Sequence, residues 1–233
     1  MFDKLLTRLL RHDRLQEPVR NAYVSTFSGS RTYWEDRYTH GRTSGNGSYG
    51  RLSEFKADVV NSFINEYSIK SAIEFGCGDG NQLSLFEIAD YIGLDASPTA
   101  VQRCIREHGG DDKSFMLYDS KSFLDNHSIL SAELGLSLDV IFHLVEDRIY
   151  KKYMEQLFDS AEKYIIIYSS NIDSGTKYGI EDADHVKHRE FTKWIERNNP
   201  QWGLINKINN RYPYDAESKK PTSFSDFYIY SNE

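Results

Sequence analysis

The run from Ser71 to Leu83, SAIEFGCGDGNQL, restricts the fold more than any other part of the chain. Ala72, Ile73 and Phe75 suit a buried strand. Gly76, Gly78 and Gly80 then allow a sharp turn and a close backbone approach to a ligand, because no Cβ intervenes. A helix that follows such a turn offers unpaired N–H groups at its start. Strand, glycine turn and helix in that order belong at the carboxyl edge of a parallel sheet, where adenosine-type ligands bind. The pattern is Glu-x-Gly-x-Gly-x-Gly, not the G-x-G-x-x-G of a nicotinamide site. The acid Glu74 at the strand end suits a ligand with a positive end better than a pyrophosphate.

Further strands end in similar chemistry. Tyr91 to Asp95 reads as the second strand, and an acid about 20 residues past a glycine turn is placed to accept from both ribose hydroxyls. Ala96 follows on the same rim. Ser97 is the expected N-cap and Pro98 the N1 residue of a helix through Ala100, Val101, Cys104 and Ile105. Ser114 to Ser120 reads as a third strand. Asp119 there can accept from the exocyclic amine of an adenine, with Ser120 beside it, or can cap a short helix over Ser122–Leu124. The fourth strand begins near Leu134 and ends near Ser137 or Leu138. Asp139, Phe142 and His143 follow, where a crevice should open.

This ordered set resembles the successive motifs of the Rossmann-like (class I) S-adenosylmethionine-dependent methyltransferases. The resemblance runs from about residue 52 onward and covers most of the chain. It implies an α/β fold: a doubly wound, mostly parallel seven-stranded sheet with helices on both faces and the last strand antiparallel. It implies S-adenosylmethionine as the cofactor. Gly76, Gly78 and Gly80 would hold the methionine end, with Glu74 near its amine. Asp95, with Ala96 beside it, would bind the ribose hydroxyls, and Asp119, with Ser120, the adenine amine. Leu138 and Phe142 would wall the sulfonium, with Ser137 on the same strand end. Glu133 stands where family members often carry an aspartate, a departure of little consequence.

The remaining pattern agrees with alternating strands and helices, which favour a parallel sheet covered on both faces. Leu52 to Tyr67 is an expected helix with Phe55, Val59, Val60, Phe63 and Ile64 on its buried face. A short helix is expected near Gln82–Phe86, another over Ile149–Tyr164, and a fifth strand over Tyr164–Tyr168. Ser169, Ser170 and Asn171 would lie on the functional rim. Trp202–Asn209 and Phe224–Tyr230 read as a terminal antiparallel pair. The chain divides into an N-terminal helix with a Gly/Ser/aromatic lid, residues 1–51, and a Rossmann-like domain, residues 52–233.

The acceptor side is expected around the lid. Tyr33, Trp34 and Tyr38 can close over a cationic sulfonium. Arg42 and Arg51, with Ser44 and Ser48, can grip an anionic group. The plain alternative is a connector whose aromatics merely pack. Asn46, Gly47 and Ser48 match a glycosylation acceptor, an idle match without a secretory signal. His185, His188 and Arg189 are candidate substrate contacts or an ordinary polar helix face. The histidine pair has no third ligand, so no metal is expected. Near the start, Leu5, Leu6, Leu9 and Leu10 can share a face ringed by Lys4, Arg8, Arg11 and Arg14. Such a helix can dock on a membrane surface or a partner, or pack on its own domain.

Composition narrows the partner. The 233 residues carry a formal net charge of −7 and a pI near 5.5, against the broad basic surface of a nucleic-acid binder. A small-molecule acceptor is expected instead, and no nucleic acid. Two cysteines, Cys77 and Cys104, lack metal-ligand spacing and suit a reduced, cytoplasmic protein. No apolar run is long enough to span a membrane. The expected reaction is methyl transfer to an oxygen, less readily a nitrogen, of a small molecule such as a sugar or sugar phosphate. His143 is the candidate base, and Asp139 or Tyr49 would orient the acceptor. A nicotinamide-dependent oxidoreductase and a non-catalytic scaffold of the same fold remain the alternatives.

Overall fold

The computed structural model describes residues 27–110, 112–123, 125, 129–173 and 183–232. The amphipathic helix expected within residues 1–15 lies outside the described residues. The elements in chain order are α1 (Ser30–Thr39), α2 (Gly50–Tyr67), β1 (Ser71–Phe75), β2 (Asp90–Asp95), α3 (Pro98–His108) and β3 (Lys113–Leu117). They continue with β4 (Ala132–Leu138), α4 (Asp147–Asp159), β5 (Ala161–Ser169), α5 (Phe191–Asn198), β6 (Gly203–Ile208) and β7 (Asp226–Ser231).

The strands form one seven-stranded sheet in the order β3-β2-β1-β4-β5-β7-β6. β1 to β5 pair in parallel, and β7 lies antiparallel between β5 and β6. Strand alternation sends successive side chains to opposite faces. Ala72, Leu134, Leu136 and Ile166 join Phe55, Val60, Phe63 and Ile64 of α2 on one face. Ile73, Phe75, Ile165 and Ile167 join Tyr153, Met154 and Leu157 of α4 and Phe191 and Ile195 of α5 on the other. Burial on both faces is why the central strands read as continuous apolar runs. The carboxyl ends of β2, β1 and β4 lie side by side at one edge of the parallel part of the sheet.

Several boundaries differ from the sequence expectation. α4 stops at Asp159 and β5 opens at Ala161, because Ala161 pairs with Ala132 and its side chain fills the space beside Gly135. β3 ends at Leu117, so Asp119 sits in the turn beyond it, where its carbonyl accepts from Ser122 and Phe123. The segment over 82–86 forms a single 3-10 turn, Leu83–Leu85. Residues 183–190 reach α5 without forming a helix. Among the described residues, no helix is long and apolar enough to cross a membrane.

Candidate active site

The glycine turn leaves β1 with Gly76, Gly78 and Gly80 all at positive φ. The backbone N–H groups of Gly76 and Cys77 donate to the carbonyl of Leu94, at 2.6 and 3.0 Å, which pins the turn to β2. A Cβ at Gly76 would stand 2.5 Å from Val140, and one at Gly78 would stand 2.4 Å from Ser44 Oγ. Glycine is therefore needed here twice over, for conformation and for space. Asp95, at the end of β2, accepts from the N–H of Gly78 at 2.9 Å and of Ser97 at 2.8 Å. Burial pushes its pKa up to about 6, against the pull of those two donors. Ser97 caps α3 by accepting from Ala100, with Pro98 in the first turn.

A lid of α1 and residues 44–48 covers this turn and is tied down at three points. Ser30 Oγ lies 2.7 Å from the His143 carbonyl and 2.6 Å from Glu146. Glu35 accepts from the Thr99 hydroxyl at 2.7 Å, the Ser97 hydroxyl at 2.5 Å and the Thr99 N–H at 3.2 Å. Asp79 accepts from the Ser44 N–H and the Tyr49 hydroxyl, both at 2.8 Å. Burial alone would raise Asp79, but those bonds outweigh it and hold the carboxylate below its usual range. Tyr38 meets Ser44 at 2.9 Å on the inner side.

Lid, strand ends and the connection at Thr222–Ser225 enclose a cavity of about 470 Å³. It gathers most of the expected residues: Glu74, Gly76, Gly78, Asp95 and Ala96 on one side, Leu138, Asp139, Phe142 and His143 on another. Asp119 and Ser120 line it at the β3 side, and Tyr33, Tyr38, His185 and His188 line it from the lid and the segment before α5. Asp119 also pairs with Arg31 at 3.3 Å.

Glu74 is buried and accepts from the Tyr91 hydroxyl at 2.5 Å. Burial raises its pKa to about 7, opposed by Tyr91 and by the charge of Lys56. The Lys56 side chain is 1% exposed, and its ammonium donates to Asp139 Oδ2 at 2.8 Å. Asp139 adopts a left-handed backbone at φ 61 and takes a second bond from Ser225 at 3.0 Å. Gln82 gives its amide N–H to the Ser53 carbonyl at 3.0 Å, while its buried Oε1 has no hydrogen-bond partner among the described residues. His143 faces the carbonyl of His185 through Nδ1 at 3.0 Å. Its ring lies edge-on to Trp34 at 4.9 Å and parallel to His185 at 5.5 Å. His185 in turn stacks on Tyr33 at 4.4 Å. Burial drives the His143 pKa down to about 4.

Six expected site residues do not line the cavity. Gly80 packs toward His108 and Cys104. The Ser137 hydroxyl is buried against Tyr153 at 2.7 Å, behind the cavity wall. Tyr49 is spent on Asp79. Arg51 donates to the Pro221 carbonyl and lies over the Tyr212 ring. Arg189 donates to the Leu144 and Val145 carbonyls and to Asp147. Arg42 is absent from the lining, although its N–H closes the end of α1 on the Arg37 carbonyl. His188 Nδ1 meets Ser170 at 2.6 Å. Among the described residues, no group of three or more His, Cys, Asp or Glu is placed to hold a metal ion.

Sequence reasoning passed over Arg37, Glu35, Lys56, Asp79 and Gln82. Asp79 sits inside the quoted glycine loop, so its position was a usable signal. Lys56 lies among the buried positions of α2, at one helical turn from Leu52. A lysine on an apolar helix face is itself a cue that a carboxylate waits opposite.

No protein-family profile matches the chain. It is 26% identical, over an alignment of 193 residues, to a small RNA 2′-O-methyltransferase of Arabidopsis thaliana. That alignment covers 71% of this chain and 20% of the relative. The chain thus matches only about a fifth of that curated relative's length. Magnesium protoporphyrin IX methyltransferase from Synechocystis PCC 6803, solved with bound S-adenosylhomocysteine, superposes with a TM-score of 0.59 at 15% identity, covering 88% of this chain and 100% of that one. The methyltransferase domain of a bacterial Hen1 superposes with a TM-score of 0.58 at 16% identity, covering 78% and 100%. The N-methyltransferase NodS of Bradyrhizobium japonicum WM9 gives 0.58 at 14% identity, covering 78% and 87%. In strand order, in its antiparallel β7 and in its structural neighbours, the chain has the class I, Rossmann-like fold of the S-adenosylmethionine-dependent methyltransferases.

Proposed function

We propose that the chain transfers a methyl group from S-adenosylmethionine to a hydroxyl oxygen of a sugar-type acceptor. The observation that carries the reading is Asp95. It is a buried carboxylate at the end of β2, held by two backbone N–H groups, on a cavity whose lining includes the glycine turn at Gly76 and Gly78. The fit extends to the methionine end. The ammonium of a methionine moiety needs an acceptor, and Gln82 Oε1 on the cavity lining supplies one.

When bound, the cofactor supplies an electrophilic methyl on a sulfonium, so the protein's task is alignment and exclusion of water. Gly76, Gly78 and Glu74 hold the methionine end, Asp95 the ribose, and Asp119 with Ser120 the adenine. Leu138 and Phe142 border the reacting centre. Tyr33, Trp34 and Tyr38 close the cavity from above. His143 carries its proton on Nδ1, since the carbonyl it meets can only accept, and this leaves Nε2 bare to take the acceptor's proton. Asp139, neutralised by Lys56, orients the acceptor.

A second reading is favoured by one observation, the similarity to a small RNA 2′-O-methyltransferase. There the accepting hydroxyl would be that of a ribose in RNA. The net charge of −7 weighs toward the small acceptor.

Calorimetric titration with S-adenosylmethionine and S-adenosylhomocysteine tests the cofactor. Micromolar binding that collapses in Asp95→Ala is expected; no binding to either would sink the reading and reopen the nicotinamide and scaffold alternatives. Labelled methyl transfer to sugar phosphates and to short RNAs then separates the two acceptors.

A further inference from the structure

We infer that the acceptor end of the cavity is an oxyanion subsite built on Arg37, so that the methylated molecule carries a phosphate or carboxylate beside the accepting hydroxyl. This rests on the methyltransferase reading and names the acceptor's class within it.

The spacing of Ser30, Trp34, Arg37 and Tyr38 puts these residues on one side of α1, and all four line the cavity. Arg37 is half-buried. Its Nε donates to the Thr43 carbonyl at 2.5 Å, which fixes the plane of the guanidinium and leaves the two Nη groups for other partners. Gly45 lies on the Nη2 side, where a Cβ would come within 3.5 Å of that nitrogen. The guanidinium carbon sits 5.7 Å from the centre of the Trp34 ring, and Trp34 is edge-on to His143. The charge is also felt at the chemistry: after burial, Arg37 is among the causes that depress both His143 and His185.

Three nearby cations are already paired. Arg31 pairs with Asp119, Lys56 with Asp139, and Arg189 with Asp147. Arg37 makes no ion pair among the described residues. Taking a cation partly out of water without a counter-charge is unfavourable, and the cavity is where a counter-charge can arrive. A guanidinium with both Nη groups open matches the paired oxygens of a phosphate or carboxylate. The grip on an anion expected of Arg42 and Arg51 thus passes to a neighbour on the lid helix.

The test uses the chain saturated with S-adenosylhomocysteine, which keeps added anions out of the cofactor's own place. Inorganic phosphate and acetate are titrated at constant ionic strength, followed by thermal stabilisation and, for phosphate, by phosphorus NMR line broadening. Saturable stabilisation by at least one anion is expected. Phosphate binding tighter than acetate points to a phosphorylated acceptor, and the reverse to a carboxylated one. Arg37→Gln is expected to weaken that binding at least ~10-fold, the loss of one charge-assisted pair, while Arg42→Gln leaves it unchanged. Retained S-adenosylhomocysteine affinity in Arg37→Gln shows that the variant is folded. If S-adenosylhomocysteine binds but neither anion does, or if Arg37→Gln binds anions as the parent does, the inference is overturned. If S-adenosylhomocysteine itself fails to bind, the cofactor reading falls and takes this one with it.

Discussion

His143 Nδ1 lies 3.0 Å from the carbonyl oxygen of His185. A carbonyl only accepts, so the bond fixes the tautomer and leaves Nε2 as the basic nitrogen. Burial holds the ring neutral, with a pKa near 4. A base that weak contributes at the low end of the usual range, so His143→Ala should lose about 100-fold in turnover. S-adenosylhomocysteine affinity should survive. With both substrates saturating, turnover should show no limb near the ordinary histidine pKa of about 6.5. A pH–rate limb there, abolished in His143→Ala, would contradict the burial.

The proposed ribose contact calls for an ionised Asp95, and burial raises its pKa to about 6. Affinity for S-adenosylhomocysteine should therefore climb as pH rises through about 6 and then level off. Asp95→Asn should weaken binding by roughly 100-fold, two charge-assisted bonds' worth, and flatten the climb. Calorimetry at several pH values reads both.

Glu74 is raised from 4.5 to about 7 by burial. A raised folded pKa favours the fold while the group is protonated, so this stabilisation is fully present below about pH 4.5 and is lost as pH rises through about 7. The shift corresponds to about 3 kcal/mol, as an order of magnitude. Glu74→Gln should remove this dependence and make the ligand-free protein more stable above neutrality. Urea melts of both proteins across that range would expose an unchanged slope if the idea is wrong.

Lys56 and Asp139 form an ion pair in which the lysine is almost wholly buried. Removing one partner leaves the other charge stranded, so Lys56→Met should destabilise the protein by about 3 kcal/mol. Pairing it with Asp139→Asn should recover part of that loss. Additive losses in the double variant would mean that the two charges do not communicate.

Glu35 fastens α1 to the first turn of α3. Glu35→Ala should cost about 1 kcal/mol, typical of a lost helix-end cap, and loosen the lid. Faster proteolysis between Gly41 and Gly50, slowed again by S-adenosylhomocysteine, is the expected signature. Cleavage at the parent rate would show that Ser30 and Asp79 hold the lid unaided.

The fold was legible because strand ends repeat one signal. Glu74, Asp95 and the segment after Leu138 each close an apolar run at the same sheet edge. The glycine turn was legible for the same reason, since three glycines two apart have few other uses. Arginine roles were not legible. Arg51 and Arg189 are long side chains whose partners are backbone carbonyls distant in sequence, at Pro221 and Leu144, and no local pattern announces such bonds. Arg37, five residues before Arg42 of the loop read as anion-binding, differs from them in the direction its side of α1 faces. Lys56 was hidden by its company, a charge among apolar neighbours whose counter-ion comes from a left-handed residue on another strand's exit. Ser137 belonged to the correct strand end, but strand alternation turned its hydroxyl to Tyr153.

The placement of β7 between β5 and β6 carries a consequence for assembly. Among the described residues, β6 pairs with β7 alone, a strand that follows it in the chain. β6 therefore has nothing to dock on until its successor has threaded into place beside β5. The edge bearing the exposed Leu204 and Ile205 is then the last part of the sheet to set, and the first to come loose when β7 is shortened.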